Sequence, residues 1–449
     1  MSSNVFLGTA SRRRTLLKPK PTPTPKKRIP ACHNLSDELL EQIFRLYYVV
    51  DKASDRAPRR VSDLTLSKRL YNVVRPLWLS DLKITTSHDR VDVLYAKIFD
   101  DDELRKAVHK LHFAVFPEFG RTHEALLASF THVVDLRIEH KGFDPEVHNA
   151  RFDNMKRIIF SEYFIRALAS LARLRNLTID HAIAASDRLP PTSTSLDSVR
   201  LPYEALNRGM STYLAIARPK EISLIVNGGS RANGRAERLP YGCVRKLELA
   251  SDPQAPGEMG GIWRAMWGLA NHFLPPPSIP CRLQHLKLLL DPEFKMTATH
   301  LEPIFRFAYG ANVEKLELIH ALSFTIDAEG LRLLKKPLTR HLILHGSYDL
   351  AKPNAIADML VLLQCFPRLE KLELGQIHIG AKDRFDPSKC DDLALASLSP
   401  VLFALVHALT RTAITSLEVR SESFEGSMRW RRQNATAQFE RLVAARADE

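Results

Sequence analysis

The 449-residue chain has no apolar run approaching the roughly 20 residues that a membrane-spanning helix needs. Its longest, residues 401–409, has the length of one buried helix. No apolar core stands behind a basic start at the N-terminus, so no secretory signal is expected. Cysteine is scarce: Cys32, Cys243, Cys281, Cys365 and Cys390 are odd in number and never spaced as Cys-x-x-Cys. That pattern argues against disulfides and zinc, and for buried free thiols in a reducing compartment, cytoplasmic or nuclear. The Asn-x-Ser/Thr triplets at Asn34, Asn176 and Asn434 then read as chance matches. What is present, 45% hydrophobic and 26% charged residues, is the composition of a globular protein with a substantial core.

Acidic residues are missing from the first 30 positions, which hold eight basic side chains (Arg12, Arg13, Arg14, Lys18, Lys20, Lys26, Lys27, Arg28). This arm accounts for eight of the net +13 charges, and the other 419 residues carry only +5. Alternating prolines from Pro19 to Pro25 forbid helix and favour extended polyproline II, so residues 1–30 are expected to be a disordered arm. A solvated tether, a nuclear-import signal on 12–14 and 26–28, and a mitochondrial presequence are the alternatives.

Catalytic motifs are also missing. The Gly-rich segment 227–235 has Arg235 and Ala236 where a phosphate-binding loop needs lysine and a hydroxyl. His341 and His345 lie in strand-like sequence, with no Glu or Cys at metal spacing nearby. No Gly-x-Ser-x-Gly elbow is present. No enzyme activity, metal or cofactor is therefore expected.

What the sequence does contain is a repeat. The pattern apolar-x-x-apolar-x-apolar recurs at 79–84, 108–113, 133–138, 155–160, 174–179, 196–201, 244–249, 283–288, 313–318, 369–374 and 414–419. Weaker copies fall at 221–224 and 341–344. Helix-patterned segments intervene, among them 163–174, 301–309, 355–366 and 393–409. Strands alternating with helices predict an α/β fold with parallel strands. Over residues 79–420 the series resembles the leucine-rich repeat family, which implies an irregular solenoid whose units bury one continuous core by stacking. The family's following Asn/Cys position holds Asn only at Asn227, so no regular asparagine ladder is expected. Spacers 250–280 and 375–392 are expected to carry loops outside the stack, and 421–449 a basic, helical tail.

Ahead of the repeats, Ser36 suits a helix N-cap followed by acidic Asp37 and Glu38. Leu35, Leu39, Leu40, Ile43, Phe44 and Tyr47 then share one helical face. A second amphipathic segment, 64–78, ends near Pro76. Together, residues 31–78 resemble an F-box through Leu35, Glu38, Leu39, Leu40, Ile43 and Phe44, then Leu64, Ser67, Lys68, Tyr71 and Arg75-Pro-Leu-Trp78. Ser36 stands where the family usually has proline, and 51–60 resembles an insertion. The resemblance implies a small helical domain docking on the Skp linker of a cullin scaffold, with contacts from these residues and Leu66. The solenoid would hold a protein substrate for ubiquitination. A plain cap on the solenoid is the alternative for the helices, and a scaffold without ligase association is the alternative for the function. A nucleic-acid role is disfavoured because the body is nearly neutral.

In apolar-x-x-apolar-x-apolar units the apolar residues point inward, so the residues flanking the central one face the concave sheet surface. Lys110, Arg137, Arg157 and Arg200 occupy such positions and are expected to meet an acidic or phosphorylated substrate segment, with ordinary solvated surface charges as the alternative.

Overall fold

The computed structural model describes residues 35–40, 42, 73, 80–85, 102–115, 121–140, 158–160, 162–180, 183–185, 195–203, 206, 208–226, 239–251, 261–272, 281–290, 295–319, 323–325, 330–331, 334–346, 348–381, 384–424 and 426–442. Two units divide the chain, Met1–Arg75 and Pro76–Glu449.

The larger unit is α/β. One 14-stranded sheet runs in chain order: β1 Asp81–Thr85, β2 Lys110–Val115, β3 Asp135–His140, β4 Asn176–Ile179, β5 Ser198–Pro202, β6 Glu221–Val226 and β7 Lys246–Ser251. It continues with β8 His285–Leu289, β9 Lys315–Ile319, β10 His341–His345, β11 Lys371–Ile377, β12 Ser416–Ser421, β13 Met428–Arg431 and β14 Glu440–Leu442. Pairing from β1 to β12 is parallel, while β13 and β14 close the sheet antiparallel. The central apolar residues form one straight row across it, from Leu82 and Leu111 through Leu247, Leu286 and Leu316 to Leu372 and Leu417. A second buried row lies two residues on, including Ile84, Phe113, Leu249 and Val419. This alternation follows from the period of two in a strand. Each buried leucine contributes roughly 1.5–3 kcal/mol, and the rows merge into one continuous core.

Helices fill most crossovers: α1 Asp102–Ala107, α2 Arg121–Ala128, α3 Glu162–Ser170, α4 Arg208–Ala217, α5 Gly261–His272, α6 Ala298–Gly310, α7 Ala355–Leu363, α8 Asp392–Leu398 and α9 Pro400–Leu409. Pro303 lies inside α6 and lacks the N–H that would bond the Thr299 carbonyl. The indole N–H of Trp263 on α5 donates to that carbonyl at 3.3 Å instead.

Four expectations change. The copy at 155–160 is no rung of the large sheet: Ile158–Phe160 pairs with Ile183–Ala185 in a separate two-stranded sheet. β3 already pairs with β4, which leaves no free edge between them. The spacer 250–280 holds α5, whose Ile262, Ala265, Met266 and Leu269 enter the core at helical spacing. The helical segment 393–409 is broken at Ser399, which caps α9 by accepting from the Leu402 N–H, with Pro400 at its first position. Finally, the segment expected as a helical tail carries β13 and β14, and buries Met428 and Trp430.

Among the described residues no single helix is long and apolar enough to cross a membrane. The bent pair α8–α9 passes that test only jointly, and its Leu395, Leu402, Leu405 and Leu409 belong to the core.

In the smaller unit, Asp37–Leu40 is helical. Ser36 caps it as expected: its Oγ accepts from the Leu39 N–H at 3.3 Å, and its carbonyl from the Leu40 N–H at 3.0 Å.

Candidate functional site on the open face of the sheet

The residues just before and just after each central apolar residue point away from the core, and straight register aligns them into two polar rows. From β7 to β11 the first row is wholly basic or imidazole: Lys246, His285, Lys315, His341 and Lys371. The second row, from β7 to β12, is mainly acidic: Glu248, Lys287, Glu317, Ile343, Glu373 and Glu418. Charges within and between the rows pair with one another. His285 Nε2 lies 3.0 Å from Glu317, His341 Nε2 2.8 Å from Glu373, Lys371 Nζ 2.6 Å from Glu373, and Lys287 Nζ 3.3 Å from Glu248. At the C-terminal end, buried Glu418 is held by Arg420 (2.9 Å) and by Arg429 of β13 (3.1 Å).

These contacts set the protonation states. The hydrogen bond with His285, followed by nearby lysines, holds the Glu317 carboxyl below its usual range. For Glu373 and Glu418 burial acts the other way, but Lys371 with His341, and Arg420 with Arg429, outweigh it and hold both acids low. Burial pushes the imidazoles of His341 and His345 below their ordinary value. The face is thus carboxylate-bearing and self-paired at neutral pH.

Toward the N-terminal strands three of the expected substrate residues, Lys110, Arg137 and Arg200, line the same face, yet they are not equivalent. Lys110 pairs with Asp135 on the next strand at 3.5 Å, and Arg137 with Asp180 at 2.6 Å. Arg200 is exposed and has no side-chain partner among the described residues. Arg157 lies outside the described residues, and the strand that follows it is not part of this face. His112 Nε2 lies 2.6 Å from Glu139 but out of line for a hydrogen bond. Among the described residues, Lys110 and Arg137 are thus each paired with an acid, and Arg200 is not.

Of the linker-contact residues, Leu35 is half-buried, Leu39 is 48% exposed and Leu40 is 2% exposed. Ile43, Phe44, Leu64, Leu66, Ser67, Lys68 and Tyr71 lie outside the described residues. Sequence reasoning missed the His285–Glu317 and His341–Glu373 pairs. Their signal was present, since in each pair the acid stands one rung further along, on the other side of the central leucine. Among the described residues no group of three His, Cys, Asp or Glu side chains is placed to hold a metal ion. No protein-family model matches the chain, and no curated protein matches it.

Proposed function

We propose that this chain is a non-catalytic recognition protein: a leucine-rich-repeat-like solenoid presents an open sheet face to a protein partner, and an F-box-like segment at 31–78 docks on the Skp linker of a cullin scaffold. The observation that supports this best is the straight register of β1 to β12. With strands about 4.8 Å apart, it aligns outward-pointing polar side chains over roughly 50 Å. A surface of that length suits a protein better than a small molecule. Such a receptor breaks and makes no bonds itself; it raises the effective concentration of its target at the ligase.

Capture of the Skp linker by the full-length protein tests the docking half. Leu39→Asp is the informative variant, because Leu39 is half exposed while Leu40 is buried and its substitution would disturb folding. Linker capture by the wild type, lost in Leu39→Asp with an unchanged melting temperature, is the expected result. A folded wild type that captures no linker would eliminate ligase association and leave the repeat scaffold.

A further inference from the structure

A run of unneutralised charge lies beside the open face, on the rim where the chain enters the strands. Two positions of each rung, the second and fourth before the central apolar residue, form this rim. On β4 to β8 they carry Arg173, Arg175, Arg218, Lys220, Arg245 and Arg282 against a single acid, Asp197. Backbone hydrogen bonds tie the rungs edge to edge: Asp197 N–H to Arg175 carbonyl (2.7 Å), Lys220 to Asp197 (3.1 Å), Arg245 to Lys220 (2.7 Å) and Gln284 to Arg245 (2.9 Å). The rim is therefore a continuous line and not a scatter of surface charges.

Most of its cations have little to hold. Lys220 pairs with Asp197 at 2.7 Å, and Arg175 reaches the Ser195 carbonyl at 3.4 Å. Arg173, Arg218, Arg245 and Arg282 are exposed, and none has a side-chain partner among the described residues. Arg218 and Arg282 flank the Cys243 thiol closely enough for both to act on it, although burial is the larger influence there and pushes the thiol up. Further along, the same positions turn neutral, with Glu314, then Arg340 paired to Glu370 at 3.7 Å. The cationic excess is confined to five rungs.

Arg218 adds an independent sign. It ends α4 in the left-handed conformation, φ 47, which favours glycine or asparagine. At the equivalent place before β9 the chain has Asn312, φ 53, the ordinary choice. A charged side chain is thus kept where the turn prefers another residue, the kind of local strain that marks functional positions.

We propose that this rim is the docking surface for an extended acidic segment of a partner protein, its carboxylate or phosphate groups gripped by Arg218, Arg245 and Arg282. Guanidinium forks bind both kinds of anion in two-pronged fashion. Four strand spacings give roughly 19 Å, the reach of about six extended residues. Described rim positions on these rungs hold no aromatic side chain, and stacking on aromatics is what single-stranded nucleic acid requires. The proposal rests on the larger unit being a recognition surface and not on the F-box resemblance.

The test uses the full-length chain and fluorescence anisotropy with four labelled probes: an oligoglutamate peptide, a phosphoserine peptide, a neutral Ser/Gly peptide and a single-stranded oligodeoxynucleotide. One or both anionic peptides bind, the neutral one does not, and affinity falls as salt rises. Comparing the two anionic peptides tells carboxylate from phosphate recognition. Arg218→Asn, which the turn accommodates as Asn312 shows, weakens binding roughly tenfold, the weight of one charge-assisted contact, without lowering the melting temperature. The triple variant R218E/R245E/R282E loses at least about 100-fold, whereas Arg368→Glu, at the same turn position before β11, changes affinity less than about twofold. The proposal is overturned if the triple variant binds like wild type, or if folded wild type binds neither anionic peptide. It is equally overturned if the oligodeoxynucleotide binds more tightly than both peptides and is lost on the same reversal. Linker capture is scored separately, so a chain that takes the linker but no anionic peptide sinks this proposal alone.

Discussion

Replacing Arg432 by methionine should open the C-terminal end of the sheet. Arg432 follows β13, is 3% exposed and has no carboxylate partner among the described residues. Its guanidinium donates instead to four carbonyls, those of Thr410 (2.9 Å), Ala435 (2.8 Å), Thr412 and Ile414, and lies 4.7 Å from the Phe439 ring. Thr410 caps α9, where the helix carbonyls carry partial negative charge, so dipoles neutralise the buried cation. Hydrogen bonds to a charged group are worth about 1.5–3 kcal/mol each, but they are not additive and desolvation of the cation opposes them. The net loss on removing the charge from this buried network is about 3–5 kcal/mol. Because an open sheet frays from its edges, the loss is local, and hydrogen exchange is the right assay. Amide protection in Ser416–Ser421 and Met428–Arg431 should fall about 100-fold or more, that in β6–β8 should hold, and Trp430 emission should shift red. If exchange in these two strands stays within about threefold of wild type, the guanidinium does not hold the end closed.

Two further perturbations probe the face itself. A Cβ at Gly375 would lie 2.8 Å from Cδ2 and 2.9 Å from Cγ of His345, its register partner on β10, so Gly375→Ala should cost about 1–3 kcal/mol. Denaturant unfolding should show most of that recovered in Gly375→Ala/His345→Ala, and an equal cost with or without His345 would refute the clash. The pKa values of His341, His345, Glu317, Glu373 and Glu418 are all depressed in the folded chain, so the unfolded chain binds more protons as the pH falls. Stability should therefore be full at neutral pH, decline first through the imidazole range near about pH 6.5 and then further through the carboxylate range below about pH 4.5. Melting temperatures that rise from pH 7 to pH 5 would contradict these assignments.

The rungs were legible because alternation in a strand is local: Leu247 with Leu249, or Leu372 with Leu374, declares a buried face within three residues. The N-cap at Ser36 was legible for the same reason. The helix α5 was also written in the sequence, in the helical spacing of Ile262, Ala265, Met266 and Leu269. The false rung at 155–160 shows the limit of a local pattern, since whether a strand joins a sheet depends on whether an edge is free to receive it.

By itself, then, the sequence determined which side chains turn inward and that the strands would stack. Only the tertiary structure decided which outward charges remain available. Arg137 is neutralised by a residue 43 positions away, and Lys246 by one 25 positions away. Arg432 is buried by carbonyls 18 to 22 positions back. Those partners meet because register carries each rung against the next, and interrupted spacers of unequal length hide that register from the linear chain. Coulomb attraction acts over a few ångströms of space, whereas the sequence measures separation along the backbone.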